Sequence, residues 1–156
     1  MDIINGLLAN KCLLCALLAW TVAQGLKIFT LGIKNHHWSI RNFIGSGGMP
    51  SSHTAGVVAL TILVGWQQGF ASEVFAACLV FSCIVMYDAA GVRRETGRQG
   101  KVINELLSSQ TAEEKGERDK DLKERIGHSP LEVLMGALVG VLCAAVFILF
   151  FPGGAV

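Results

Sequence analysis

Residues 131–151 of this chain read LEVLMGALVGVLCAAVFILFF, a run of 21 residues in which Glu132 is the one charged side chain. A helix that crosses the hydrocarbon core of a bilayer needs about 20 mostly apolar residues. The run does not alternate between apolar and polar residues, so it predicts a helix and not a strand. Residues 131–151 are therefore predicted to form a transmembrane helix.

Three further apolar segments precede this run, at residues 4–33, 54–66 and 71–87. The first is interrupted by Lys11 and Lys27, and the second must extend to Gln67 or Phe70 to reach the length of a span. Four such runs cannot close a barrel, and in lipid a helix is the other structure that satisfies the backbone. We expect an all-α, polytopic membrane helix bundle with about four transmembrane helices, forming a single membrane-embedded domain over residues 1–156.

The composition agrees with this class. Hydrophobic residues make up 52% of the chain and charged residues 16%, against about 25% charged in typical soluble domains. The charges concentrate in a long segment between the third and fourth apolar runs, which we interpret as a charged loop insertion over residues 95–127. Its mixed signs are typical of a solvated surface, with helices predicted at residues 102–107 and 113–126. The sequence contains no patch of basic and aromatic residues that would indicate nucleic-acid binding.

The distribution of Lys and Arg predicts the orientation in the membrane. Of 13 such residues, 12 lie within residues 27–41 or 93–125. Four spans place both segments on one side, and the positive-inside rule assigns that side to the cytoplasm. Because the first span lacks the early basic cluster of a signal peptide, we expect it to be retained. The prediction is a multi-pass protein of the plasma membrane.

The five cysteines all lie inside apolar runs, at positions 12, 15, 78, 83 and 143. Cys12 and Cys15 have C-x-x-C spacing, but no second pair accompanies them. We therefore interpret the cysteines as small core residues. No metal or other cofactor is expected.

Residues 47–54, Gly-Gly-Met-Pro-Ser-Ser-His-Thr, directly precede the second apolar run. Pro and Ser are typical of helix starts, and Gly48 allows the backbone to approach a ligand closely. Unpaired N–H groups and the positive end of the dipole at a helix start suit a phosphate. Ser51, Ser52 and His53 are thus candidate phosphate-site residues. A plain helix cap with an interfacial histidine fits the same residues.

Residues 127–132, Gly-His-Ser-Pro-Leu-Glu, open the fourth apolar run. His128 and Glu132 are four positions apart and share a helix face. A carboxylate that accepts from one imidazole nitrogen leaves the other available as a nucleophile. The alternative is that Glu132 stabilises the helix start and His128 is merely interfacial.

Residues 87–94, Tyr-Asp-Ala-Ala-Gly-Val-Arg-Arg, end the third apolar run on the side that the topology assigns to both histidines. An arginine fork at Arg93 or Arg94 suits phosphate oxygens, although positive-inside anchors look the same. Lys27 ends the first run on that side and either reaches a phosphate or snorkels to the interface. Asp88 is a supporting candidate that orients an arginine or signals different chemistry.

Together, residues 50–53 (Pro-Ser-Ser-His) and 128–132 (His-Ser-Pro-Leu-Glu) resemble elements of the type-2 phosphatidic acid phosphatase superfamily, which includes vanadium-dependent haloperoxidases. That superfamily has Pro-Ser-Gly-His, then a histidine with an acid four residues later. Here Ser52 replaces the glycine, Glu132 replaces aspartate, and Val92 stands where a serine precedes the arginine. With residues 88–94, the likeness is greatest to a short divergent branch from bacteria and plastids, over residues 27–140.

The resemblance implies a catalytic mechanism without a metal. His128 would attack phosphorus, Glu132 would orient it, and His53 would protonate the leaving group and then activate water. Arg93 or Arg94, Lys27 and the start of the second helix would hold the phosphate oxygens. A site at the membrane boundary favours a lipid phosphate, such as phosphatidate or phosphatidylglycerophosphate.

Three alternatives remain beside this reading. A polyprenyl diphosphate phosphatase would need an outward-facing site, and a non-catalytic membrane protein would bind lipid phosphate or support assembly without turnover. A haloperoxidase is disfavoured because the soluble enzymes of that class are much larger. Gly136 and Gly140 have the spacing of close helix packing, within the chain or in a homodimer.

Overall fold

The computed structural model describes residues 2–35, 48–108 and 129–152, without the side chains of residues 34–35, 92–94 and 107–108. These ranges contain helices and no strand, which confirms the all-α class. The predicted helix at residues 113–126 and the candidate nucleophile His128 lie outside the described residues. The helices are α1 (Asp2–Ala9), α2 (Lys11–Asn35), α3 (Ser52–Gln68), α4 (Glu73–Ala90), α5 (Val92–Ser108) and α6 (Pro130–Phe150).

Three helical stretches of the described chain are long and apolar enough to cross a membrane, namely Lys11–Ile33, Glu73–Leu106 and Pro130–Phe150. The membrane class of the chain is thereby confirmed. Helix α3 has 17 residues and is not among them. Its length of about 26 Å is slightly less than the roughly 30 Å of a hydrocarbon core. A count of four transmembrane helices stays a prediction.

Helix α3 is the centre of the bundle and packs against three other helices. It is antiparallel to α2, since Ser52 contacts Lys27 near the end of α2 and Gln67 contacts Cys12 near its beginning. It is also antiparallel to α4, where Thr61 and Ser82 share a buried hydrogen bond of 2.7 Å. Each neighbour therefore meets a different face of α3.

Two glycines allow α6 to approach α3 closely. A Cβ atom added at Gly140 would lie 2.6 Å from the carbonyl oxygen of Ala55, and one added at Gly136 would clash with the carbonyl of Ser51. Only glycine leaves room for backbone at such distances, as in other close helix pairs in membranes. The Gly136/Gly140 pair thus serves packing within the chain. A homodimer through these residues stays a prediction.

The first apolar segment forms two helices, not the single span that the sequence predicted. Asn10 separates α1 from α2, and its side-chain oxygen accepts a hydrogen bond from the amide of Leu13 at 3.0 Å. Asparagine is among the best residues for capping a helix N-terminus, so it starts α2 at Lys11. Lys27 does not interrupt α2, because its side chain is buried inside the bundle.

The charged segment after α4 begins as helix, which corrects the predicted loop. Helix α4 extends to Ala90, and α5 continues from Val92 to Ser108 after the single residue Gly91. Exposed ion pairs join Glu95 to Arg98 and Lys101 to Glu105 along α5; such pairs stabilise a helix by only a few tenths of a kcal/mol, about 0.3–0.5. The helix predicted at residues 102–107 is therefore only the second half of α5.

Cys12 and Cys15 belong to the hydrophobic core between α2, α3 and α6. Both side chains pack among small apolar residues, including Ala19, Ala55 and Ala144, and the Cys12 thiol also donates to the side-chain oxygen of Gln67. The interpretation as core residues is confirmed for this pair, whereas it is wrong for Cys83, which is exposed.

Candidate functional site

The start of α3 meets two other helices at one end of the bundle, which we call the Ser51 end. The amide of Ser51 donates to the carbonyl oxygen of Glu132 in the first turn of α6, at 2.9 Å. Lys27, in the last third of α2, reaches the next residue along, Ser52. Two of the sequence motifs, residues 47–54 and 127–132, therefore converge with Lys27 at this end.

Lys27 is the most deeply buried cation of the described residues, with 1% of its surface exposed. Its Nζ donates a hydrogen bond to the hydroxyl of Ser52 at 3.1 Å. The Glu132 carboxylate is near enough to favour the positive charge of Lys27. A charged group inside a membrane bundle is costly unless it is paired, and such groups mark functional sites. The side chain points into the bundle, so the snorkelling alternative is wrong.

Ser51 and Ser52 are both buried at the start of α3. Ser51 is the N-cap, and its hydroxyl accepts from the amide and the hydroxyl of Thr54. An N-cap hydroxyl satisfies one of the orphan N–H groups of the first turn. Ser51 thus has the capping role that the sequence left open, and Ser52 presents its hydroxyl to Lys27.

His53 is exposed, and its position one turn before Val57 puts it on the side of α3 that meets α4. Four residues further along this face, the carbonyl of Val57 accepts from Ser82 of α4 at 3.1 Å. Because the two helices are antiparallel and residues four apart share a face, His53 lies level with the C-terminal end of α4. That end contains Asp88, which is half-buried.

Arg93 and Arg94 are the second and third residues of α5. Their backbone follows directly on the C-terminal end of α4, so the structure places it at the Ser51 end of the bundle. Their side chains are outside the described residues, and which of them contacts a phosphate stays a prediction. The same is true of the role of Asp88.

Glu132 forms a reciprocal capping box with Ser129 at the start of α6. The carboxylate accepts from the amide of Ser129, and the hydroxyl of Ser129 accepts from the amide of Glu132, both at 3.3 Å. These contacts match the interpretation of Glu132 as a residue that stabilises the helix start. Its proposed contact with His128, the residue directly before Ser129, falls outside the described part of the chain.

Gly48 lies beside α2 in the segment that leads into α3. It has φ +88 and faces the side chain of Leu31. Positive φ favours glycine, so the backbone conformation at position 48 explains the glycine there. The sequence analysis had assigned Gly48 to close approach of a ligand. The following Met49–Pro50 bond is cis.

Two polar residues of α2 were missed by the sequence analysis. Gln24 is buried one turn before Lys27, and the hydroxyl of Thr30 donates to the carbonyl of Met49. The three polar side chains Gln24, Lys27 and Thr30 recur at intervals of three in a mostly apolar helix. Since polar groups inside membrane spans face the bundle interior, that spacing was the signal that identifies them.

The described contacts therefore unite the buried residues Lys27, Ser51 and Ser52 with the half-buried Glu132, whose backbone carbonyl accepts from Ser51. His53 is exposed at the edge of this cluster. The cluster supplies a cation, hydroxyls and the start of a helix, all of which suit the oxygens of a phosphate. It belongs to α2, α3 and α6 at once, so it depends on the tertiary packing of all three helices.

Comparisons with known proteins agree with these features. A family model described as "Divergent PAP2 family" matches residues 8–143. A relative from Bacillus subtilis (strain 168), the uncharacterized membrane protein YuiD, is 40% identical over 158 residues, which cover 93% of this chain and 98% of the relative. No solved structure matches the chain significantly. The family match includes all of α2 to α5 and the first two thirds of α6.

Proposed function

This chain belongs to the divergent PAP2 family, and from that premise we propose that it hydrolyses a lipid phosphomonoester at the Ser51 end of its membrane bundle. The observation that carries the proposal is the buried Lys27 ammonium bonded to Ser52 in the first turn of α3. A cation held beside a helix N-terminus supplies two kinds of group that bind phosphate. The resemblance to phosphatases supplies the chemistry.

The substrate class follows from the position of the cluster. Lys27 belongs to a helix that is long and apolar enough to span the membrane, and its partners lie at the first turns of α3 and α6. A substrate with a polar headgroup and a buried tail fits such a boundary. Phosphatidate and phosphatidylglycerophosphate are the proposed substrates, because the Lys and Arg distribution assigns this end to the cytoplasmic side.

The proposed reaction has two steps. In the first, a ring nitrogen of His128 attacks phosphorus, the ester P–O bond breaks, and His53 gives its proton to the departing alkoxide. In the second, His53 takes a proton from water, the water oxygen attacks phosphorus, and the P–N bond breaks to release inorganic phosphate. Both steps are general acid–base and nucleophilic catalysis.

The cations stabilise the charge that is redistributed over the phosphoryl oxygens in each step. Lys27 has three N–H donors, and Ser52 accepts from one of them. The others are proposed to face the phosphate together with a guanidinium from Arg93 or Arg94. Glu132 balances the positive charge of Lys27 and of His128 when its ring is phosphorylated.

A lipid-phosphate panel tests the proposal. Purified protein in detergent is assayed for phosphate release from phosphatidate, phosphatidylglycerophosphate and undecaprenyl diphosphate. His128→Ala and His53→Ala are assayed beside it, with Lys11→Ala at the opposite end of α2 as the control. We expect release from a monoester, no release with His128→Ala, severe loss with His53→Ala and normal release with the control. Preference for the diphosphate would instead support the polyprenyl alternative, and no turnover of any lipid would refute catalysis.

A non-catalytic binding or assembly protein is the second candidate. It is favoured by the engagement of Glu132 in a capping box and of Lys27 with Ser52, since both residues already serve the fold. Such a protein would bind lipid phosphate, release none, and tolerate His128→Ala in cells. Binding of short-chain phosphatidate to the detergent-solubilised protein is measured beside the release assay. Binding without release supports the second candidate, and binding with release supports the enzyme.

A further inference from the structure

We infer that Thr30 is a positioning residue, which fixes the segment of residues 48–52 so that Lys27 and Ser52 face the phosphate together. This inference rests on the proposed function. Thr30 carries no role in the resemblance described above, and its hydroxyl is not proposed to touch substrate. It acts through the backbone that leads into α3.

The hydroxyl of Thr30 connects two separate parts of the chain. It donates to the carbonyl of Met49, 19 positions away. Its oxygen also lies 3.2 Å from the carbonyl of Lys27 in the same helix. A threonine in a helix can give its one hydroxyl proton to a carbonyl of the preceding turn. The bond to Met49 uses this proton for a tertiary contact instead.

Leu31 supports the same segment from the neighbouring position. A Cβ atom added at Gly48 would lie 3.2 Å from a methyl carbon of Leu31. Lys27 bonds to Ser52, Thr30 to Met49, and Leu31 packs beneath Gly48. One turn of α2 therefore contacts both the beginning and the end of the segment.

The far side of the segment is held by α6, where the carbonyl of Glu132 accepts from the amide of Ser51. The Met49 carbonyl and the Ser51 amide flank Pro50, so the two bonds fix the chain on either side of this residue. Without the Thr30 hydroxyl, the Met49 carbonyl loses its bond to α2 and the entry to α3 is free to shift. Small displacements of groups that position a substrate are known to reduce rates severely.

The test compares three variants of the full-length protein in detergent. Thr30→Val removes the hydroxyl at nearly constant volume, and Thr30→Ser retains it. Thr21→Val is the matched control, because Thr21 lies on the same helix, is exposed, and bonds only to the carbonyl of Leu17 in the described structure. Each protein is measured for hydrogen exchange of the Ser51 and Ser52 amides and for kcat and KM on phosphatidate.

We expect Thr30→Val to accelerate exchange at Ser51 and to lower kcat, each by about five- to tenfold, the range for loss of one hydrogen bond. KM should change less than twofold. Thr30→Ser should restore both quantities, and Thr21→Val should leave both at the wild-type value. This pattern distinguishes positioning from a general loss of stability.

Unchanged exchange at Ser51 in Thr30→Val would overturn the inference, as would faster exchange with an unaltered kcat. The exchange measurement does not depend on turnover. If the wild type releases no phosphate from any lipid while Thr30→Val still exchanges faster, the proposed function fails, and with it the catalytic meaning of the contact. Failure of the proposed phosphatase activity is therefore distinguishable from failure of the proposed role of the Thr30–Met49 contact.

Discussion

The Lys27 ammonium donates a hydrogen bond to the Ser52 hydroxyl over 3.1 Å, although 25 positions and a change of helix separate the two residues. Both residues are about 1% exposed. The pair binds the last third of α2 to the first turn of α3. It also places a positive charge where the N–H groups of a helix start already favour an anion.

Replacing Lys27 by methionine should separate function from folding. Lys27→Met keeps the length of the side chain and removes the charge, and we expect at least a hundredfold loss of phosphate release, about 3 kcal/mol of transition-state stabilisation. Thermal stability in detergent should be equal or higher, because an apolar side chain of similar volume is often tolerated in place of a buried charge. Lys11→Met, at the other end of α2, is the control. A fully active Lys27→Met protein would remove Lys27 from the site.

Glu132→Gln tests whether the carboxylate has a role beyond the capping box. A glutamine oxygen still accepts from the Ser129 amide, so the melting temperature should fall by only a few degrees. Phosphate release should decrease about tenfold or more, since the charge opposite Lys27 is lost. Glu73→Gln, in the first turn of α4 at the opposite end of the bundle, makes the same change away from the site. Equal activity in the two variants would leave Glu132 a purely structural residue.

The two serine caps at opposite ends of the bundle provide a comparison of stability with activity. Ser129→Ala and Ser72→Ala each remove an N-cap hydroxyl, and each should destabilise the protein by about 1 kcal/mol. Only Ser129→Ala should reduce kcat, because Ser129 adjoins His128 in the chain. Thermal melting and turnover are measured on both. A similar loss of kcat in Ser72→Ala would show that stability alone controls the rate.

Gly140→Val should disrupt the contact between α3 and α6. The new Cβ would meet the Ala55 carbonyl at 2.6 Å and Val58 at 3.0 Å, and overpacking of this kind costs about 1–3 kcal/mol. The variant should therefore melt at a lower temperature. Gly25→Val is the control, because no atom outside the local chain lies within 4 Å of an added Cβ there. If the two variants melt alike, the close approach of α6 is not required.

Structural features that depend on neighbouring residues in the chain were predicted well from the sequence. The apolar lengths of α2, α4 and α6 follow from the cost of exposing a backbone to lipid, so their existence and approximate extent were predictable. The helix start at Ser51 and the capping box of Ser129 and Glu132 follow from side chains that bond within one turn. The break at Asn10 was missed, because an asparagine inside an apolar run also occurs in uninterrupted helices.

The first half of α5 was missed for a different reason. The mixed charges of residues 95–127 indicated a solvated loop, whereas opposite charges three or four positions apart are equally compatible with a surface helix. Whether residues 92–101 form a helix depends on several small free-energy contributions of opposite sign, and the amino-acid composition does not predict their sum.

The sequence by itself determined that this protein is a helical membrane protein of a phosphatase-related family, because length, hydropathy and the motifs around His53 and His128 are properties of contiguous residues. Only the tertiary structure decided where Lys27 points and what Gly136 and Thr30 contact. Those outcomes depend on the register between α2, α3 and α6, which is set by side-chain volume at helix crossings. Residues far apart in the chain share that register, so no local pattern encodes it.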